Sequence, residues 1–146
     1  MSFTDTVQMI PEISDYLSDG LRALGNNSRK INAADTRLIN GSIDLDTSLR
    51  NSYPQANRWD YIIGYNNKAW FLEIHPATGK EVGVVLKKLA WLKNWLNMHA
   101  GGLNNLKASE PYHWVASDKM AIPTTSRHYR LAATNGIIPK KRLELR

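Results

Sequence analysis

Apolar and β-branched residues crowd two short stretches on either side of an asparagine pair, and this pattern predicts a β-hairpin. Arg58 to Tyr65 and Lys68 to His75 both have the composition of strands. Asn66 and Asn67 between them tolerate the positive φ that a two-residue turn demands. That turn fixes the register: Asp60 faces Glu73, and Arg58 faces His75. Pro76 ends the second strand by removing a ladder donor. Thr78 and Glu81 then stand at capping-box spacing and open a helix that runs to about His99, where Gly101-Gly102 stops it. At about 100° per residue, Val82, Val85, Leu86, Leu89, Leu92 and Leu96 form one apolar stripe, assigned to the sheet. Val84, Trp91, Trp95 and Met98 form a second stripe on the other side. A helix with two apolar faces is either covered by the N-terminal segment or used between subunits. A homodimer through Trp91 and Trp95 therefore stands beside internal burial as an expectation.

The rest of the chain is less regular. Residues 4–24 read as helical, with Pro11 suited to a first turn and Gly25 to a stop. Arg37 to Ile43 reads as a strand interrupted at Asn40-Gly41, or as two strands around it. Ser42 to Asp46 alternates like a strand end, while Asp46 is also placed to cap a helical turn over Thr47 to Ser52. Residues 103–110 read as loop and Pro111 to Ser117 as a strand. A short helical turn is expected within Lys119 to Ser126, and another strand over His128 to Thr134. Asn135-Gly136 turns the chain. The basic segment of about 136–146 then returns as an edge strand or trails as a tail. No repeat or linker divides the 146 residues, so one α/β domain with a mixed sheet flanked by helices is expected.

Composition narrows the function classes. No run of eighteen apolar residues is present, the N-terminus lacks the pattern of a signal peptide, and there are no cysteines. A cytoplasmic protein without membrane spans is the expectation. The net charge of +6 attracts polyanions, and nucleic acid is the usual partner of such a domain. Cations cluster at Lys87-Lys88, at Lys140 to Arg142 and around Arg127, His128 and Arg130, although a solvated surface accommodates them equally.

The hairpin register gives these charges a focus. Side chains alternate across a strand, so Arg58, Asp60, Glu73 and His75 share one face. Directly opposed residues have Cβ atoms about 4.5–5.5 Å apart, and two carboxylates there call for a compensating cation. A divalent metal held by hard oxygen ligands meets that need. So does an exposed face on which Asp60 pairs with Arg58, and Glu73 with Lys68 or Lys80. Histidines 99, 113 and 128 lack zinc-ligand spacing, and neither a phosphate-binding glycine loop nor a G-x-S-x-G elbow is present. A metal-free ribonuclease would need a second histidine beside His75.

Asp60 on one hairpin strand, Glu73-Ile74-His75 on the next and an amphipathic helix after them resemble the PD-(D/E)XK (restriction-endonuclease-like) nuclease superfamily, over roughly residues 8–118. The resemblance implies an αβββαβ core and a Mg²⁺- or Mn²⁺-dependent hydrolysis of phosphodiester bonds, with DNA placed ahead of RNA. It implies that Asp60 and Glu73 are metal ligands, joined by the carbonyl of Ile74 and by Glu12 or Asp15 on the first helix. Two positions depart from the family pattern: Trp59 stands where a proline is usual, and His75 replaces the lysine. His75 then assists the nucleophile as a general base, its ordinary pKa being about 6.5. Lys87 is a second catalytic candidate, and Arg58 and Lys88 are the expected phosphate-binding cations. The same features also suit a module that keeps the fold, binds nucleic acid or assembles, and has lost catalysis.

Overall fold

The computed structural model describes residues 1–146 and contains no helix long and apolar enough to cross a membrane. Its elements run α1 (Phe3–Gln8), β1 (Ile31–Ala33), β2 (Ile39–Asp44), α2 (Leu45–Ser48) and β3 (Tyr61–Tyr65). They continue with β4 (Lys68–Thr78), α3 (Val82–His99), α4 (Gly101–Leu106), β5 (Lys107–Ala121), α5 (Arg127–Thr134) and β6 (Leu143–Leu145). Four strands form a mixed sheet in the order β2-β3-β4-β5. The first two pairings are antiparallel, and β4 pairs parallel with β5. A parallel pair needs a crossover connection, which α3 and α4 supply. β1 and β6 pair parallel in a separate two-stranded sheet.

The hairpin forms in the expected register, with Tyr61 opposite Leu72 and Tyr65 opposite Lys68. Asn66 and Asn67 both take positive φ, at 50° and 56°, as a type I′ turn requires. Alternation along the strands builds two apolar layers. Ile62, Phe71 and Trp114 face α3 and α1, where they meet Phe3, Val85, Leu89 and Trp95. Ile63, Leu72 and Val115 face the other way, onto Leu24, Ile31, Leu143 and Leu145. Gly64 lets α1 lie close to the sheet: a Cβ there would come within 2.4 Å of the Phe3 ring.

Several sequence expectations are corrected. Residues 4–24 are not one helix: α1 stops at Gln8, and short 3-10 turns follow. Pro11 cannot continue the helix, and Ser18 is drawn into a backbone bridge with Ser42 of β2. Pro76 does not end β4, which runs on to Thr78; it sits at an irregularity in the β4–β5 pairing between His75 and Ala77, a position that needs no ladder donor. The capping box of Thr78 and Glu81 does not form. Thr78 Oγ1 is buried without a partner, and the Glu81 carboxylate turns to His75. Asp44, not Asp46, caps the short helix α2, its carboxylate accepting from Thr47 N at 3.0 Å.

Residues 101–106, in part expected as loop, form α4, and His128 to Thr134 lies in a helix instead of a strand. Ser126 caps that helix by accepting from Tyr129 N at 3.1 Å. Trp95 is buried inside the chain, stacked on Trp91, and donates to Glu12 Oε1 at 3.3 Å. Coverage by the N-terminal segment thus accounts for the second apolar stripe at Trp95, and that residue keeps almost no surface for a partner.

Candidate functional site

Asp60 stands one residue before β3 and Glu73 lies in β4, directly across from it in the continued hairpin register. The two are laced together by backbone. Asp60 N donates to Glu73 Oε1 at 3.2 Å, and Ile74 N donates to Asp60 Oδ2 at 3.0 Å. Each carboxylate keeps its other oxygen for a cation, and both oxygens meet the same one. Lys88 of α3 reaches Asp60 Oδ1 at 3.4 Å and donates a charged hydrogen bond to Glu73 Oε2. Glu73 is fully buried, whereas the Asp60 side chain keeps 21% of its surface exposed.

His75, two residues on, points to the same side. Its Nδ1 lies 3.2 Å from Glu73 Oε2, and its Nε2 lies 3.0 Å from Glu81 Oε2. Ionised carboxylates only accept, so a protonated ring, donating from both nitrogens, satisfies the two contacts together. A ring donating from both nitrogens has no lone pair to take a proton, so the general-base role expected of His75 requires that one of these two contacts be broken. No other histidine is hydrogen-bonded to His75. Trp114 Nε1 donates to the His75 carbonyl at 3.0 Å and fixes the strand beneath the site.

The charges explain the protonation behaviour. Burial, and then the negative charge of Glu73, push the Asp60 carboxyl up to about 7, against the opposing pull of Lys88. The hydrogen bond to Glu73 raises the His75 pKa against the effect of burial. Burial pulls Lys88 down, but Glu73 and Asp60 outweigh it and the net direction is upward. One ammonium is therefore shared between two acids and leaves Asp60 incompletely compensated near neutral pH.

The structure gathers Asp60, Glu73, His75 and Lys88 and leaves out the other candidates. Lys87 is exposed and makes none of these bonds, so its assignment as the helix cation is corrected to Lys88. Helical spacing explains this, because Lys87 falls opposite the apolar stripe and Lys88 flanks it. Arg58 is spent on Asp46 Oδ1 at 2.9 Å and on the Tyr53 carbonyl at 2.7 Å, so it neither pairs with Asp60 nor stands free for phosphate. Glu12 is taken by Trp95, and Asp15 is exposed on a 3-10 turn. Glu81 was missed as a site residue, since its place in a capping pattern concealed the reach to His75.

The donor set fits a hard divalent cation in kind. Two carboxylates converge on one positive centre, and Mg²⁺ is commonly held by one or two carboxylates together with water. No group of three or more acidic or histidine side chains is arranged for a metal, so any such ion would draw its remaining ligands from backbone, water or substrate. Neither the protein-family models nor the curated proteins nor the solved structures contain a match to this chain.

Proposed function

We propose that the chain is a metal-dependent phosphodiesterase of restriction-endonuclease-like architecture, acting on nucleic acid. The observation that carries this reading is the pair of carboxylates on adjacent strands, Asp60 and Glu73, locked by each other's backbone and sharing a single ammonium. The order of β2, β3, β4, α3 and β5 supports the architecture, and the net charge of +6 supports a polyanionic substrate.

In this reading Asp60 and Glu73 hold Mg²⁺ or Mn²⁺, which when bound supplies charge neutralisation at the phosphoryl oxygens and lowers the pKa of water. The chain's own residues do the rest. Asp60 releases its proton near pH 7 and becomes a full anionic ligand. The Ile74 N–H holds Asp60 in place through that change. Lys88, displaced from between the acids, carries its ammonium to the negative charge that develops on phosphate. His75 and Glu81 form a fixed ion pair that keeps Glu73 oriented; His75 thus positions the site and moves no proton.

A second reading rests on the complete burial of Glu73 and its three hydrogen-bonding partners, which suit a structural ion network in a binding module. Cleavage separates the two. Wild-type protein is expected to cut single- or double-stranded DNA, or RNA, in Mg²⁺ or Mn²⁺ and to stop in EDTA, and Asp60→Ala is expected to be inactive. Cleavage by wild type that is no faster than by Asp60→Ala, on all three substrates and with both metals, would overturn the enzymatic reading.

A further inference from the structure

The opposite face of the sheet carries a polar cavity that the proposed reaction does not use. β4 alternates, so Trp70 points away from the side on which Glu73 and His75 lie. His113 of β5 is aligned with Leu72 and shares Trp70's face, where the two rings stack with centroids 5.4 Å apart. The chain after α5 crosses this face. Lys140 is pinned by backbone bonds, donating to the Trp114 carbonyl and accepting from Ala116 N, each at 2.9 Å. Beyond it the same alternation sorts the terminal residues. Leu143 and Leu145 enter the core, while Lys140, Arg142, Glu144 and Arg146 line a cavity of about 420 Å³ together with Trp70 and His113.

Three cations and two carboxylates, Glu110 and Glu144, line this cavity, and the negative charge of Glu110 acts on Lys140 without touching it. Lys140, Arg142 and Arg146 form no ion pair with any carboxylate of the chain. The partner of Lys140 is a neutral group: its ammonium donates to His113 Nδ1 at 2.9 Å, while His113 Nε2 donates to the Glu110 carbonyl at 2.6 Å. That imidazole is held neutral, its pKa pushed down to about 4 by burial and by Lys140. Arg142 gives one N–H to the Arg29 carbonyl at 2.9 Å and keeps the rest of its fork. Glu144 is engaged by Asn32 at 3.0 Å. A partly buried ammonium and two guanidinium groups facing one cavity are a donor set for a phosphate group, and the indole beside them offers an apolar plane to a base.

We propose that this cavity is a binding site for a phosphate-bearing nucleotide, separate from the Asp60–Glu73 site and independent of whether the chain cleaves nucleic acid. Lys140 and the two arginines take the phosphate, and Trp70 borders the base.

Calorimetric titration with AMP, inorganic pyrophosphate and adenosine tests it, on the full chain. AMP and pyrophosphate are expected to bind wild type, and adenosine is not. Arg142→Ala/Arg146→Ala, which alters only exposed side chains, is expected to weaken AMP by about tenfold or more, as the loss of charge-assisted hydrogen bonds implies. Asp60→Asn is expected to bind AMP as wild type does. Tighter binding of AMP than of pyrophosphate assigns the base to the indole, whereas equal binding overturns the nucleotide part of the proposal. Absence of AMP and pyrophosphate binding at millimolar concentration overturns the site, as does AMP binding that survives in the double variant or is lost in Asp60→Asn.

Discussion

Replacing Asp60 by asparagine should make the protein more stable at neutral and alkaline pH. In the folded chain the Asp60 carboxyl titrates at about 7 against an ordinary value of 3.8. Between those values the folded state keeps a proton that the unfolded chain has released, so ionising Asp60 destabilises the fold as pH rises through that window. A rise of about 3 pH units at about 1.36 kcal/mol each sets an upper value of about 4 kcal/mol. The asparagine carbonyl can still accept from Ile74 N, and Lys88 keeps Glu73 as its partner. The wild-type pH profile alone will not isolate this effect, because the depressed pKa of His113, at about 4, works in the opposite direction: it makes the fold gain stability as pH rises toward the ordinary histidine value. The difference between variant and wild type removes the His113 contribution. Urea denaturation followed by tryptophan fluorescence should show little difference near pH 4 and a gain for Asp60→Asn of about 2–4 kcal/mol near pH 8. A variant no more stable than wild type at pH 8, or a difference that does not change with pH, would refute the assignment of Asp60 as an under-compensated buried acid.

Three further outcomes follow from the same geometry. Lys88→Met should cost about 3 kcal/mol or more at pH 8, since it strands a buried carboxylate, and less at pH 5, where Asp60 carries its proton; urea denaturation at the two pH values reads this. Glu81→Gln should lower the His75 pKa, because one of the two carboxylates that hold the imidazolium becomes neutral, and an NMR titration of the ring protons would reveal a pKa unmoved or raised if that pairing is absent. His75's own contribution to stability is present at low pH and is lost as pH rises through its raised pKa. Gly64→Ala should lower stability by about 1–3 kcal/mol, measured by thermal denaturation, because the new methyl meets the Phe3 ring.

What the sequence disclosed was local. The Asn66-Asn67 turn has few alternatives, and once it is fixed, strand periodicity carries Asp60 opposite Glu73 without any further information. The long helix is equally legible from its stripe. The identity of the helix cation was within reach of the same periodicity, for Lys88 flanks the sheet-facing stripe and Lys87 opposes it, a distinction that the catalytic assignment to Lys87 did not use. The remaining errors are non-local. β6 pairs with β1 across more than a hundred residues, and strands of three residues carry too little pattern to announce such a partner. HYRLAAT has β-forming residues at its start, yet the Ser126 cap and the burial of Ala132 set it as a helix. Glu81 was misread for a related reason: a capping box is a local motif, and a strand residue six positions back outcompeted it for the carboxylate.

In the proposed function Asp60 and Glu73 form a divalent-cation site in which Lys88 is the internal competitor. Mn²⁺ titration by calorimetry of wild type, Asp60→Ala and Lys88→Met, with thermal unfolding of each in the presence and absence of the metal, tests it most directly. Wild type is expected to bind Mn²⁺ and Asp60→Ala is not. Tighter binding is expected for Lys88→Met, in which no ammonium competes for the two carboxylates, and the ion should raise the unfolding temperature of that variant. Lys88→Met that neither binds Mn²⁺ nor gains stability from it would refute the metal site and leave the two acids as a structural ion network.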